Sequence, residues 1–512
     1  MGLSVIVIAN DFTAMNVALA TIERDFGTDV TTVQWVINSY ALVFGVLIVT
    51  GGRLADLFGR REAFFVGASI FAATSALAGA AQTETWLIVA RCLMGIGGAL
   101  MWPAILGMTF AALPPARAGL AGGIILGAAG LGNAVGPLVG GALTDLASWR
   151  WVFFLNVPIA ALAVAVTWAK VHQPRVEAGE RRIDYTGIVS LSLGLLLLML
   201  ALDQSADWGW GDPRLIAMLA VSIGAILTFG FVEPRIGEMA LIPRDVITNR
   251  RFASACVAVL LMSAVFFTTV LYAPQLMQKV LGWSPLGSGA GLLPMMAVFA
   301  GVSFAAGKLY ERIGGRPVII AGAACITVGP FLLSLFDSGS SYGVLLPGLI
   351  VTGLGIGLFY PSITTAAVTA LDAARSSLAG GIVYMFQIAG GAVGLALMTA
   401  IFTASSEDRV VSDAAAEGIS MSGEQASVIH GVLAGTDSGQ TALDDFRGPV
   451  AERVLEVVRD SFAAGVQTSL RVAGAIALAG LLIAVFGVRP GRGSDAPTPD
   501  DEAVAGSPSA AG

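Results

Sequence analysis

Asp11 lies inside an apolar run at residues 2–20. In a helix it would stand about 14 Å from one end of that run, close to the middle of a bilayer core. A charge there costs roughly 2.5–3.5 kcal/mol even on a lenient insertion scale, so it needs a reason to stay. Two chemistries fit. Asp11 is either a carboxyl facing a shared polar cavity, where burial suits it to exchange a proton or sense a cation, or a carboxylate bonded to Thr13 or Asn16 and fixed in one state. Arg91 is the corresponding cation, about 9 Å from the end at which the run at 85–110 begins. It is either buried or reaches the nearer interface by snorkelling.

A denser charge cluster sits between two runs. "GGRLADLFGRREAFF" at 51–65 carries Arg53, Asp56, Arg60, Arg61 and Glu62. Basic residues in a short loop orient the chain, but orientation does not need Asp56 or the spacing of Gly52 and Gly59. Asp56 could bond a helix N-terminus, where the dipole favours an anion, or pair with an arginine on an adjacent helix. Arg60 and Arg61 could reach acids or the C-terminal ends of facing helices. The loop is therefore either a latch that forms in one conformation and breaks in another, or a topology signal alone. Further along, Gly132, Gly136 and Gly140 recur every four residues, which allows close helix approach. Pro137 removes a backbone hydrogen bond there and invites a bend. Asn16, Trp35, Tyr40, Asn133, Gln275, Gln278 and Gln387 are candidates to line a cavity, with Trp35 equally readable as an interfacial residue.

The elements that carry these residues are apolar and long. The chain has 512 residues, 56% hydrophobic and 12% charged; its mean hydropathy is +0.81. Soluble proteins carry about twice that charge fraction. About fourteen runs are long enough to cross a bilayer, near 2–20, 34–52, 62–81, 85–110, 117–143, 150–170, 184–203, 213–232, 252–276, 286–307, 317–335, 343–369, 376–402 and 466–488. In hydrocarbon a segment must satisfy its own backbone, and the alternation of barrel strands is missing, so the class is all-α integral membrane. The chain enters the first run at once without a basic lead, which reads as a first span rather than a cleaved signal peptide. Cys92, Cys256 and Cys325 all fall inside runs and read as small packing residues. The net charge of -7 suggests no nucleic-acid partner.

Lys and Arg concentrate in one set of connections, including Arg53, Arg60, Arg61, Arg117, Arg235, Arg250, Arg251, Arg312, Arg316 and Arg375. The positive-inside rule makes that set cytoplasmic and puts both termini inside. The chain also repeats itself. "GGRLADLFGRR" returns as "AGKLYERIGGR" at 306–316, so Gly52, Asp56, Gly59 and Arg61 align with Gly307, Glu311, Gly314 and Arg316. "RAGLAGGI" at 117–124 returns as "RSSLAGGI" at 375–382, and "GIGGALMWP" at 95–103 as "GLGIGLFYP" at 353–361. Ordered repeats imply two homologous bundles with a site between them, an architecture suited to alternating access. The expected division is a six-helix bundle over 1–170, a two-span insertion over 171–245, five spans of a second bundle over 246–402, an extracellular segment over 403–465 with an amphipathic helix near 449–465, the last span at 466–488, and a disordered cytoplasmic tail over 489–512.

These motifs resemble the major facilitator superfamily, and within it the fourteen-span drug:proton antiporters. The loop at 51–61 is similar to the superfamily's G-x-L-A-D-x-x-G-R-R signature. "RCLMGIGGA" at 91–99 resembles its fourth-span motif, and "NDFTAMNVAL" at 10–19 its first-span pattern. Gly123, Gly132, Gly136, Pro137, Gly140 and Gly141 match the antiporter motif of the fifth span. "WRWVFFLNVP" at 149–158 is a further mark of the fourteen-span group. Gln387 stands where that family usually has Arg. The resemblance implies two six-helix bundles plus two extra central spans, and proton coupling through Asp11 and Arg91. It implies a cytoplasmic gate of Gly52, Asp56, Gly59, Arg60, Arg61, Gly307, Glu311 and Arg316, and a fifth span that closes a leak path. It further implies a monomer in the plasma membrane whose partners are a small-molecule substrate, protons and lipid, with the proton as coupling ion and no other cofactor.

The expected function is proton-coupled export of amphipathic drugs, antibiotics or secondary metabolites. The alternative is proton-coupled uptake or facilitated transport of one solute, which the fifth-span motif disfavours. ATP-driven pumping and membrane-enzyme chemistry lack their signatures: there is no G-x4-G-K-[ST] or H-E-x-x-H, and His172 and His430 both lie outside the runs.

Overall fold

The computed structural model describes residues 1–28, 30–171, 183–237, 240–416 and 449–487. The tail expected to be disordered, and residues 417–448 of the segment expected over 403–465, lie outside the described residues. The first bundle is α1 (Gly2–Phe26), α2 (Val30–Phe58), α3 (Arg60–Gly79), α4 (Glu84–Ala111), α5 (Ala118–Leu146) and α6 (Arg150–Lys170). The insertion is α7 (Tyr185–Trp208) and α8 (Pro213–Ile236), followed by the short α9 (Arg244–Thr248). The second bundle is α10 (Arg250–Lys279), α11 (Pro285–Gly291), α12 (Leu293–Ile313), α13 (Gly315–Leu333), α14 (Tyr342–Val368), α15 (Ser376–Ala416) and α16 (Pro449–Gly487). Among the described residues, 13 helices are long and apolar enough to cross a membrane. α1 is a single helix of 25 residues that carries Asp11 in an otherwise apolar stretch and gathers Glu23, Arg24 and Asp25 at its end.

Local chemistry sets the ends. Thr83 caps α4 by accepting from Trp86 N at 3.2 Å, and Asn249 caps α10 by accepting from Arg251 N and Phe252 N. The two repeated connections turn on left-handed glycines, Gly59 at φ 111° and Gly314 at φ 84°, where a side chain would be strained. α15 runs on to Ala416, and α16 begins at Pro449, continuous with the last span. The amphipathic segment expected near 449–465 is thus the first part of α16 rather than a separate helix.

The repeat is visible in the packing. In the first bundle α1 packs on α5, α2 on α4, and α3 on α4 and α6. In the second, α10 packs on α15, α12 on α14, and α13 on α14 and α16, the same scheme helix for helix. The halves meet reciprocally, α5 against α12 and α15 against α2. Glycines make this seam close: Gly119 faces Gly307, Gly123 faces Ser303, and Gly130 faces Ala300 and Phe299. The insertion packs on α2 and α15 through α7, while α8 has only 11% of its apolar window buried.

Candidate functional site

Asp11 and Arg91 meet. They form an ion pair in the interior of the first bundle, with both side chains 0% exposed. Five helices build the setting. Arg91 on α4 also donates from Nε to Val36 O of α2 at 2.7 Å, and its guanidinium lies 4.3 Å over the Tyr40 ring. Phe153 of α6 stands 5.8 Å away on another side. Asn156 of α6 donates to Asp11 Oδ1 at 3.0 Å and sits 3.2 Å from Ser75 Oγ of α3, which donates to Phe153 O at 2.8 Å. Arg91 Nη2, Asn156 Oδ1 and Tyr40 Oη are buried without a hydrogen-bond partner. A buried pair with spare donors and acceptors can exchange one partner for another, which is the chemistry of a switchable charge. Asp11 thus bonds Arg91 and Asn156. Arg91 is buried and does not snorkel.

α5 holds α1 in place beside this pair. A Cβ on Gly132 would fall 2.7 Å from Ile6 O, and one on Gly136 would strike Thr13 Oγ1. Gly140 packs on Ala14, Pro137 is half-buried between them, and Gly141 is buried. Gly123 faces the other way, onto α12. The fifth-span motif therefore seats both α1 and the second bundle.

The charge cluster forms a two-sided lock. Asp56 accepts from Ser377 N at 3.3 Å and Leu378 N at 2.8 Å, the N-terminus of α15 in the opposite half. Glu311, its repeat counterpart, accepts from Leu120 N of α5 at 3.0 Å. Each carboxylate thus meets the positive end of a helix across the seam. Gly52 and Gly307 let the backbones approach, since a Cβ would fall 2.8 Å from Ser377 O or 2.6 Å from Gly119 O. Arg60 bonds Asp56 at 3.0 Å and Ala373 O at 2.6 Å. Arg61 donates to Trp168 O at the end of α6, and Arg316 to Val485 O at the end of α16. These groups stand on helix ends rather than in the loop expected at 53–62: Gly59 alone separates α2 from α3, and Gly314 alone separates α12 from α13.

The expected cavity residues lie on several helices of both bundles. Tyr40 joins the ion pair. Trp35, Asn133, Gln275 and Gln387 are half-buried on α2, α5, α10 and α15, and Gln278 is exposed near the end of α10. Among the described hydrogen bonds none joins them to Asp11 or Arg91. The side chain of Asn16 lies outside the described residues. An aromatic chain links the two halves: Phe12 to Phe44 at 5.7 Å, Phe44 to Tyr384 at 5.5 Å, and Trp102 to Tyr384 at 4.5 Å between ring centres. Trp102 Nε1 is buried without a partner. Asn156, Ser75, Trp102 and Tyr384 escaped the sequence reading. A polar residue in an apolar run was a usable signal for Asn156; the aromatics had none.

The comparisons with known proteins agree with the fold. The family model described as Major Facilitator Superfamily matches residues 1–395. The tetracenomycin C resistance and export protein of Streptomyces glaucescens is 30% identical, over 95% of this chain and 90% of that one. The probable actinorhodin transporter of Streptomyces coelicolor is 31% identical, over 90% and 83%. The multidrug resistance protein Stp of Mycobacterium tuberculosis is 33% identical, over 79% and 75%. Among solved structures, the human organic anion transporter MFSD10 aligns with a TM-score of 0.59 at 13% identity, over 94% of this chain and 97% of that one. The proton:xylose symporter XylE aligns at 0.57 and 13%, over 96% and 94%. With two like bundles, a reciprocal seam and a family match over most of its length, this chain is a multi-pass membrane protein that belongs to the Major Facilitator Superfamily.

Proposed function

We propose that the protein exports amphipathic small molecules, of the antibiotic or drug class, in exchange for protons. The observation that carries this reading is the buried Asp11–Arg91 pair beside a seam that is latched on one face. Its relatives carry names of drug and antibiotic exporters, and the repeat supplies the two rocking halves. In this account the face bearing the 53–62 segment is cytoplasmic and fourteen helices span the membrane, α1 included. The conformation is closed to the cytoplasm. A proton reaching Asp11 from outside replaces Arg91 as its partner. The freed guanidinium keeps Val36 O and the Tyr40 face, and the shift in the first bundle unseats the lock. Substrate then enters from the cytoplasm, and the aromatic wall of Phe44, Trp102 and Tyr384 offers flat apolar surface to it. The proton leaves inward as the lock re-forms.

Inside-out vesicles with an acid interior test the exchange. Adding substrates from a panel of dyes and aromatic antibiotics should alkalinise the interior in wild type and not in Asp11→Asn. Tyr384→Ala should change which compounds act. A panel on which no compound moves protons would favour transport of one specific solute instead.

A further inference from the structure

The insertion has no counterpart in the repeat, and the lock described above makes no use of it. Its two ends nearest the lock each bury a carboxyl. Asp184 caps α7 through Oδ1, which accepts from Gly187 N at 2.8 Å. Glu233, in the last turn of α8, accepts from Ile242 N through Oε1. Asp184 is 8% exposed and Glu233 1%. The second oxygen of each, Asp184 Oδ2 and Glu233 Oε2, is buried with no hydrogen-bond partner. Both are aimed at the same place, because a Cβ added to Gly187 would strike the two together. Beside them is a cavity of about 10 Å³, room for one water, lined by Asp184 and by Arg53 near the end of α2.

Two facing carboxylates in a poorly solvated place do not both stay ionised. Two bare oxygens are also costly to bury. One proton resolves both problems: it bonds to one oxygen, and that O–H donates to the other. The charged groups around the pair, among the described residues, are few. α2 contributes Arg53, which stands within electrostatic reach of Glu233, and of Asp56 and Arg375 as well. Arg375, ahead of α15, is paired with Asp245 of α9. The 240–243 stretch offers only backbone to Glu233.

We propose that Asp184 and Glu233 form a proton-binding site that holds one shared proton and faces Arg53 of the lock. With the proton in place the pair carries a single negative charge against one guanidinium. Losing it doubles that charge and draws Arg53 toward the insertion and away from Asp56. The insertion thereby reports proton activity to the lock from a place separate from Asp11.

Difference infrared spectra of the purified protein test the site without any transport assay, so the outcome is independent of the exporter reading. Wild type should show the carbonyl band of one protonated carboxyl near neutral pH that is lost on alkalinisation. The band should be missing from both Glu233→Gln and Asp184→Asn, whose amides replace the shared hydrogen bond and preserve shape. Arg53→Gln should move the band's loss to higher pH, since the cation that favours ionisation is gone. A band of full size in both carboxamide variants, or no such band in wild type at any pH where the protein stays monodisperse, would overturn the proposal. So would a band seen only after sodium and potassium are removed, which would place a metal cation between the oxygens. If one variant fails to fold, the other alone decides.

Discussion

Removing one member of a buried ion pair strands the other charge, at a cost of about 3–5 kcal/mol. With both side chains fully buried, Asp11 and Arg91 meet that condition. Arg91→Ala should therefore lower the thermal melting point of the purified protein markedly. The double variant Asp11→Asn/Arg91→Gln removes both charges and retains polar contact with Asn156 and Val36 O, so it should recover most of the loss. A double variant as unstable as the sum of the singles would contradict the pair. A second carboxylate, Asp25 near the end of α1, behaves differently. Hydrogen bonds from Arg150, then from Trp149, hold it below the ordinary carboxyl range. Its contribution is present above the unfolded value and is lost as pH falls through the lowered one. Stability measured against pH should thus lose its acid-side slope there in Asp25→Asn. Asp11 and Arg91 each stood out in the sequence as charges in apolar runs. Their contact did not, because 80 residues separate them and one sequence carries no record of how two helices are rotated toward each other.

The helices around the seam were the most legible part. Apolar length located the helices, 13 of which are long and apolar enough to cross a membrane among the described residues, and the repeat located both halves of the lock. Asp56 and Glu311 at opposing helix N-termini were foreseeable in kind, since an anion beside a helix start is favoured wherever one is in reach. Which start each would meet was not, for that depends on how the two bundles dock. Each contact across the seam should favour the closed form by about 1–2 kcal/mol, roughly a 5- to 30-fold effect on the open fraction. Asp56→Asn and Glu311→Gln should both speed labelling of Ser377→Cys by a membrane-impermeant thiol reagent, in a background lacking Cys92, Cys256 and Cys325. Gly52→Ala should do the same, since its methyl meets Ser377 O. Unchanged labelling in all three would mean the lock does not hold the seam. The extension of α15 and α16 beyond their spans had a different cause. Helix-favouring Ala, Glu and Arg continue past the apolar stretch, so the polar boundary is not the helix boundary.

At the scale of the whole molecule, the two bundles follow one packing scheme and meet through reciprocal pairs, α5 with α12 and α15 with α2. Such a seam can open as a unit while each bundle keeps its own contacts. Among the described residues the first half alone carries a fully buried ion pair, and Leu349 stands at the repeat position of Arg91. In the proposed mechanism, chemistry in one half and a lock shared by both couple a proton to a rocking motion. The division into halves was readable from ordered repeats, whereas the aromatic chain through Tyr384 depends on how the halves face each other and left no trace in spacing. The central claim is that Asp11 couples substrate to protons without being needed for the rocking itself. The direct test is to measure, in proteoliposomes and for one labelled substrate, both uphill accumulation driven by a pH gradient and exchange at equal pH. Asp11→Asn should lose accumulation and retain exchange. Accumulation by Asp11→Asn with the wild-type dependence on the gradient would contradict the account.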